Sequence, residues 1–339
     1  MIILPSKAAV VIPVYKSELN ELEKISLAQV RKILKNYPII FVAPAEVKYP
    51  YFTPSDSVVY FPPQFFQGVQ TYNYLMMSPN FYAAFKDFEY ILIYQLDAFV
   101  FRDELEYFCS LGYDYIGAPW PKIYRDNVKE NFSCVGNGGF SLRNVKNSYE
   151  LLKGHSDLVE QWHARNFPED VFFSHCGKRD DCNFLVAPIN VAYKFSAEFN
   201  PPRVVKKNGG KLPFGCHAWY RQYQEFYTNV FLKLGYDLRS LKINSDGGLR
   251  NWLMSIAFQR LARRFQRGQS ILSYLPTKRF ASVRVIRHPI TMMILARLLF
   301  EDSSLADKIF LYDPDEQDLL LQDLTLQKLP HLLIDVGGA

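Results

Sequence analysis

Apolar residues run almost unbroken from Ala8 to Tyr15, and apolar positions then recur at helical spacing from 18 to 36 (Leu19, Leu22, Ile25, Leu27, Val30, Ile33, Leu34). A short uninterrupted apolar run predicts a strand buried on both faces, and a period of three to four predicts an amphipathic helix. A second apolar run at 38–44 completes a strand–helix–strand unit, parallel and right-handed by default. A third strand is predicted at 57–62 and a helix at 78–85. The strongest run, Tyr90–Ile91–Leu92–Ile93–Tyr94, ends at Gln95–Leu96–Asp97. Ligands of open α/β sheets bind beyond the carboxyl ends of the strands, so Asp97 is expected at that edge; the plainer alternative is a carboxylate satisfying backbone donors in a turn.

Beyond it, Asp103 is placed to cap a short helix at 104–110. A strand and turn follow at 113–120, then a polar loop at 122–132 and a glycine-rich segment at 135–143. Helices are predicted at 145–153 and 169–175, and 213–219 is the last segment of distinctive composition. These elements make residues 1–240 an α/β domain with a mostly parallel sheet flanked by helices. A C-terminal extension occupies 241–339.

Charge separates the two parts more sharply than hydropathy does. The 339 residues carry a net charge of +5, yet 247–300 holds ten Lys and Arg and no acid, while 301–339 holds nine acids and two lysines. Within the basic stretch, Trp252, Leu253, Ile256, Phe258 and Leu261 interleave with Arg260, Arg263, Arg264 and Arg267. That pattern predicts basic amphipathic helices over 247–300, followed by an acidic tail. The apolar stretch 289–300 contains Arg297 and is too short to span a bilayer. No nucleic-acid motif accompanies the basic segment, so nucleic acid is not an expected partner. Two readings stay open: docking on an anionic membrane surface, and pairing with the acidic tail of the same chain or a second copy, which leaves self-association open.

A hydrophobic share of 49% excludes global disorder, and most of the 22 Tyr and 27 Phe must be packing. Five cysteines without a CxxC pair fit reduced thiols better than a disulfide framework or a zinc cage. The first fifteen residues lack the basic-then-apolar order of a signal peptide, so the expected location is cytoplasmic.

Four groups could carry chemistry. Asp97 is a hard oxygen ligand suited to Mg²⁺ or Mn²⁺ on a diphosphate. Gly136–Asn137–Gly138–Gly139 lets another molecule approach the backbone, although Asn-Gly is equally a hairpin signal. Pro168–Glu169–Asp170 opens a helix, where carboxylates also serve the helix dipole. His217 stands in Phe214–Gly215–Cys216–His217–Ala218–Trp219, a stretch without regular periodicity, where a lone histidine is often structural.

In order, these segments resemble the GT-A-type nucleotide-sugar glycosyltransferases, in particular bacterial glycosyltransferase-like proteins of surface-polysaccharide gene clusters. The resemblance covers roughly residues 8–225. It rests on Val10–Val11–Ile12–Pro13–Val14–Tyr15, Tyr94–Gln95–Leu96–Asp97–Ala98–Phe99, Tyr113 to Trp120, Val135 to Arg143, Pro168–Glu169–Asp170–Val171 and Phe214 to Trp219. It implies a GT-A-like, Rossmann-like fold and a hexosyltransferase-type enzyme taking a nucleotide sugar, with a UDP-sugar favoured, to a glycan or lipid-linked glycan acceptor. Pro13, Val14, Tyr15, Gln95, Asp97, Gly138, Gly139 and Phe140 would bind the donor, and Asp97 and His217 would hold a divalent cation, Mn²⁺ or Mg²⁺. Asp170, or its neighbour Glu169, would be the general base of an inverting transfer. Lipid-linked acceptors would place the protein peripherally on the inner face of the membrane. One departure stands out: Gln95 replaces the first acid of the family's Asp-x-Asp motif, which leaves a non-catalytic nucleotide-sugar or glycan-binding module as the rival reading.

Overall fold

The structure, a computed structural model, describes residues 7–45, 47–54, 56–120, 135–164, 167–198, 201–222 and 224–239, with four strands beyond residue 276. The chain divides into two compact units. The larger is Met1–Arg125 with Glu130–Arg250, and Asn251–Ala339 belongs to the smaller.

Eleven strands are described in the larger unit: β1 (Ala8–Pro13), β2 (Ile39–Pro44), β3 (Ser57–Phe61), β4 (Tyr90–Tyr94), β5 (Phe99–Val100), β6 (Tyr115–Ile116), β7 (Ala118–Pro119), β8 (Val135–Gly136), β9 (Phe140–Asn144), β10 (Ser196–Ala197) and β11 (Gly215–Cys216). Six form the main sheet in the order β3-β2-β1-β4-β9-β6. β1 to β4 are mutually parallel where they pair, and β9 runs antiparallel to both of its neighbours. The central strands carry no charge except Arg143 in β9 and are buried along almost their whole length, as a sheet covered on both faces requires. β3 lies at the edge, with Ser57 and Tyr60 exposed, Val58 and Val59 partly buried and Phe61 buried.

The strand–helix–strand unit forms as its spacing predicts, with β1 and β2 parallel around α1 (Glu21–Ile33). The helix starts later than the apolar pattern suggests because Asn20 caps it. The Asn20 side chain accepts the Glu23 N–H at 2.9 Å, and the Glu23 carboxylate accepts the Asn20 N–H at 2.9 Å. Leu22, Leu27 and Val30 face the core. Two polar residues on the same side face inward for a different reason: Ser26 Oγ donates to the Ala98 carbonyl at 2.6 Å and Gln29 Nε2 to that of Val100 at 2.8 Å. Thus α1 anchors the segment that follows β4.

The chain builds outward from β1 through β2 to β3, then returns to place β4 on the other side of β1. The carboxyl ends of β1 and β4 are therefore a topological switch point, where connections diverge and leave a crevice.

Asn137–Gly138 is not a hairpin turn. β8 pairs with β7, whereas β9 pairs with β4 and β6, so the segment between them passes from one sheet to another. A third sheet joins β10, β11 and β5. Helices Pro79–Ala83, Leu105–Ser110, Val145–Gly154 and Glu169–Cys176 match expected ones, while Ser156–Ala164, Ile189–Phe195, Pro201–Lys207 and Gln224–Lys233 were not foreshadowed by periodicity.

In the smaller unit the described residues are strands: β12 (Thr277–Phe280), β13 (Val283–Ile286), β14 (Ile309–Tyr312) and β15 (Leu332–Asp335), in the order β12-β13-β15-β14. The helical expectation for 247–300 is corrected over 277–280 and 283–286, where β12 and β13 pair antiparallel. Thr277, Val283, Val285 and Ile286 are β-branched and fit a pleated surface better than a helix. The predicted helix at 251–267, the apolar stretch at 289–300 and the polar loop at 122–132 lie outside the described residues. No helix among the described residues is long and apolar enough to cross a membrane.

Candidate active site at the switch point

Three chain segments meet beyond the end of β4. The Gln95 N–H donates to the Gly139 carbonyl at 2.8 Å, extending the β4–β9 ladder by one residue, and a turn closed by Ala98 N–H to Gln95 O at 2.8 Å follows. This turn carries Asp97. β5 then pairs antiparallel with β11, Phe99 opposite Cys216, which lays His217 beside Asp97. The outcome is a contact of 3.0 Å between His217 Nε2 and Asp97 Oδ1, with Gln95 Oε1 at 3.2 Å from the same nitrogen. On the opposite side of the ring, Nδ1 faces Glu198 Oε1 at 3.4 Å. Asp97 and His217 side chains are only 9% and 12% exposed.

Burial alone would push the His217 pKa down. The charge and hydrogen bond of Asp97, and then those of Glu198, more than reverse this and raise it to about 10. Each ring nitrogen thus faces an acceptor. Ala218, next in the chain, holds a left-handed φ of 49°. A non-glycine residue in that region is strained, and such strain persists where packing over-determines the backbone.

The loop between β8 and β9 is packed between two charged groups. A Cβ on Gly139 would fall 2.1 Å from His217 Nε2, and one on Gly138 would fall 1.8 Å from Glu169 Oε1. Asn137, at φ 82°, bonds Gly139 N–H through its side-chain oxygen at 3.0 Å. Its own N–H donates to Asp170 Oδ2 at 2.8 Å, and its carbonyl accepts the Tyr115 hydroxyl at 2.9 Å.

Behind this loop lies a buried ion pair. Arg143 Nη2 contacts the two Glu169 carboxylate oxygens at 3.0 and 2.9 Å. The guanidinium also donates to the Tyr82 hydroxyl at 2.9 Å and to Ser141 Oγ at 3.0 Å, with its carbon 5.4 Å from the Tyr115 ring centre and 5.0 Å from that of Phe173. Burial opposes the charge on Arg143, but Glu169 outweighs it and holds the pKa well above the ordinary value.

The residues singled out in the sequence separate into three groups. Asp97, His217, Gln95, Gly138 and Gly139 come together. Pro13, Val14 and Tyr15 lie at the end of β1, beside β4; Val14 is buried with its N–H on the Val42 carbonyl at 2.8 Å, and Tyr15 is 61% exposed. Two expectations change. Phe140 is fully buried against Tyr94, Phe195 and Phe214, so its part is packing and not contact with a sugar. Glu169 is buried and committed to Arg143, whereas Asp170 is half-buried, which leaves Asp170 the better placed of the two carboxylates to meet a ligand. Arg143, Glu198 and the Tyr72 phenol, buried near Gln95 and Glu169, were not anticipated. Arg143 did carry a signal, a lone charge in an otherwise uncharged strand. Glu198 carried none.

Among the described residues no cluster of three or more His, Cys, Asp or Glu side chains is arranged to hold a metal ion. Two such side chains and a carboxamide do converge: the Asp97 carboxylate, the His217 imidazole and the Gln95 carbonyl oxygen. This oxygen-and-nitrogen set fits Mn²⁺ or Mg²⁺, with remaining positions left to a ligand's own oxygens. A carboxylate behind the second ring nitrogen, here Glu198, is the usual companion of a metal-bound histidine.

Residues 56–217 match a family described as "Protein of unknown function (DUF5672)". No curated protein matches the chain. Solved structures that match part of the chain include the bifunctional glycosyltransferase WbbM in its apo form (12% identical, TM-score 0.43, covering 72% of this chain and 52% of that one). This chain thus spans about half of the length of WbbM. The galactosyltransferase LgtC with donor and acceptor sugar analogues is 13% identical, with a TM-score of 0.45 over 67% of this chain and 94% of that one. Mouse xyloside xylosyltransferase 1, apo form, is 13% identical, with a TM-score of 0.36 over 62% of this chain and 97% of that one. At TM-scores below 0.5 these similarities bear on neither the activity nor the substrate of this chain.

Proposed function

We propose that this protein is a GT-A-type glycosyltransferase that moves a sugar from a nucleotide-sugar donor to a glycan or lipid-linked glycan, as in the assembly of bacterial surface polysaccharides. The observation that carries the reading is the meeting of Asp97, His217 and Gln95 at the switch point of a mostly parallel sheet, against a loop without side chains at Gly138 and Gly139. The exposed Tyr15 ring offers a face for the base, and the end of β1 a wall for the ribose. Asp97, His217 and Gln95 would hold a divalent cation together with the donor diphosphate; when bound, it neutralises charge on the leaving group. Asp170 takes the proton of the acceptor hydroxyl as the new bond from that oxygen to the anomeric carbon forms. The anomeric carbon–phosphate oxygen bond breaks, and the nucleoside diphosphate leaves with inversion. Arg143 keeps Glu169 out of this chemistry.

Gln95 favours one other reading, a nucleotide-sugar or glycan-binding module without turnover. A thermal-shift screen of UDP-, GDP-, CMP- and dTDP-sugars, each with Mn²⁺, Mg²⁺ or EDTA, tests the shared part of both. A ligand at 100 times its Kd raises stability by about 2.7 kcal/mol. The expected result is a cation-dependent shift with one nucleotide family that disappears in Asp97→Asn. No shift with any donor would overturn the donor site.

A further inference from the structure

Register, not sequence proximity, brings Glu198 to His217. β10 and β11 are parallel, with Ser196 opposite Gly215 and Ala197 opposite Cys216, so the next pair along the ladder is Glu198 and His217. The His217 N–H seals that step by donating to the Ala197 carbonyl at 3.0 Å. On its other side β11 pairs with β5, the strand that leaves the Asp97 turn. The histidine is thus set between a carboxylate delivered by β10 and one delivered by β4. Its ring has one nitrogen 3.4 Å from Glu198 Oε1 and the other 3.0 Å from Asp97 Oδ1. A half-turn of an imidazole about its Cβ–Cγ bond would put Cδ2 where Nδ1 stands and Cε1 where Nε2 stands, losing both contacts. A second acceptor on the Nδ1 side removes that freedom and leaves Nε2 as the atom presented to Asp97 and Gln95. The glycine at 139 leaves the space that Nε2 occupies, since a Cβ there would collide with that nitrogen.

We propose that Glu198 is the positioning residue of this site: it fixes the His217 ring with Nε2 toward Asp97 and Gln95. The inference rests on the cation-holding role proposed for His217 only in its consequence, a preformed ligand; the ring geometry is independent of it. Because an outer-shell carboxylate behind a metal-bound histidine typically sets 10- to 100-fold in affinity, Glu198→Ala is expected to weaken Mn²⁺ binding by about that factor. Glu198→Gln keeps an acceptor oxygen at the same reach and is expected to recover most of it.

The test uses the full chain with Glu198→Ala and Glu198→Gln. Mn²⁺ affinity is read by electron paramagnetic resonance with UDP present. The His217 ring-nitrogen signals are read by ¹⁵N NMR without metal, assigned through His217→Asn. Thermal unfolding of each variant is recorded alongside. Altered ring signals and weaker Mn²⁺ binding are expected in Glu198→Ala, both restored toward wild type in Glu198→Gln. Unchanged ring signals and unchanged affinity in Glu198→Ala overturn the positioning role. So does equal loss in both variants accompanied by a lowered unfolding temperature, the mark of a merely structural role. If the wild-type protein binds no Mn²⁺ while the ring signals still move in Glu198→Ala and recover in Glu198→Gln, the positioning role stands and the cation reading falls.

Discussion

Gly138 and Gly139 set how closely two charged groups can press on one loop. Neither has a left-handed φ, so the requirement is space and not backbone freedom. Gly139→Ala is expected to displace His217 and abolish cation-dependent donor binding, while Gly138→Ala pushes on a buried carboxylate. Overpacking at such sites costs about 1–3 kcal/mol, measurable by urea unfolding, and full stability in both variants would contradict the packing described. Asp97, His217 and the glycines were legible in the sequence because each is an anomaly: an acid ending an apolar run, a histidine in a patternless stretch, paired missing side chains. Glu198 was invisible, since its partner lies nineteen positions away along the chain and only the β10–β11 register joins them.

At the scale of elements, the Arg143–Glu169 pair ties β9 to the first turn of Glu169–Cys176 and so fixes where Asp170 stands. Removing one member of a buried pair strands the other charge. Arg143→Met is therefore expected to destabilise by about 3–5 kcal/mol, with Arg143→Met/Glu169→Leu recovering much of it. Loss of the Tyr82 hydroxyl in Tyr82→Phe should cost about 0.5–1.5 kcal/mol. A double variant no more stable than the single one would contradict the account. The strands and α1 were readable because continuous apolar runs and helical spacing are strong signals. Helices Ile189–Phe195 and Pro201–Lys207 were not, being only seven residues each and shaped by tertiary packing. At 277–280 and 283–286 a dense basic composition obscured β-branched residues in two strands that pair antiparallel.

For the molecule as a whole, buried phenols set the alkaline limit. Burial is the chief cause that raises Tyr82 to about 12 and holds Tyr94 and Tyr115 well above the ordinary phenol value. Unfolded tyrosines lose their protons near pH 10, so above that the native state binds more protons than the unfolded one. Stability from this source is complete below about pH 10 and falls as pH rises toward 12 and beyond. Absorbance at 295 nm should report these three tyrosines only together with the loss of circular dichroism; their titration in a folded protein would show the burial to be wrong. Liposome flotation of the full chain against residues 1–246 tests the membrane role of the basic segment, and equal recovery of both would sink it.

If the crevice at the ends of β1 and β4 cleaves a nucleotide sugar as proposed, the donor's nucleotide is released as the sugar is transferred, and that release can be followed. Donors that produce a thermal shift are incubated with cation and candidate glycan acceptors, using wild type, Asp97→Asn and Asp170→Asn. Acceptor-stimulated release by the wild type is expected. Asp170→Asn should bind donor normally yet release at least 100-fold less, within the range expected of a general base. Donor binding without release by any of the three proteins would contradict the proposed transfer and leave a binding module.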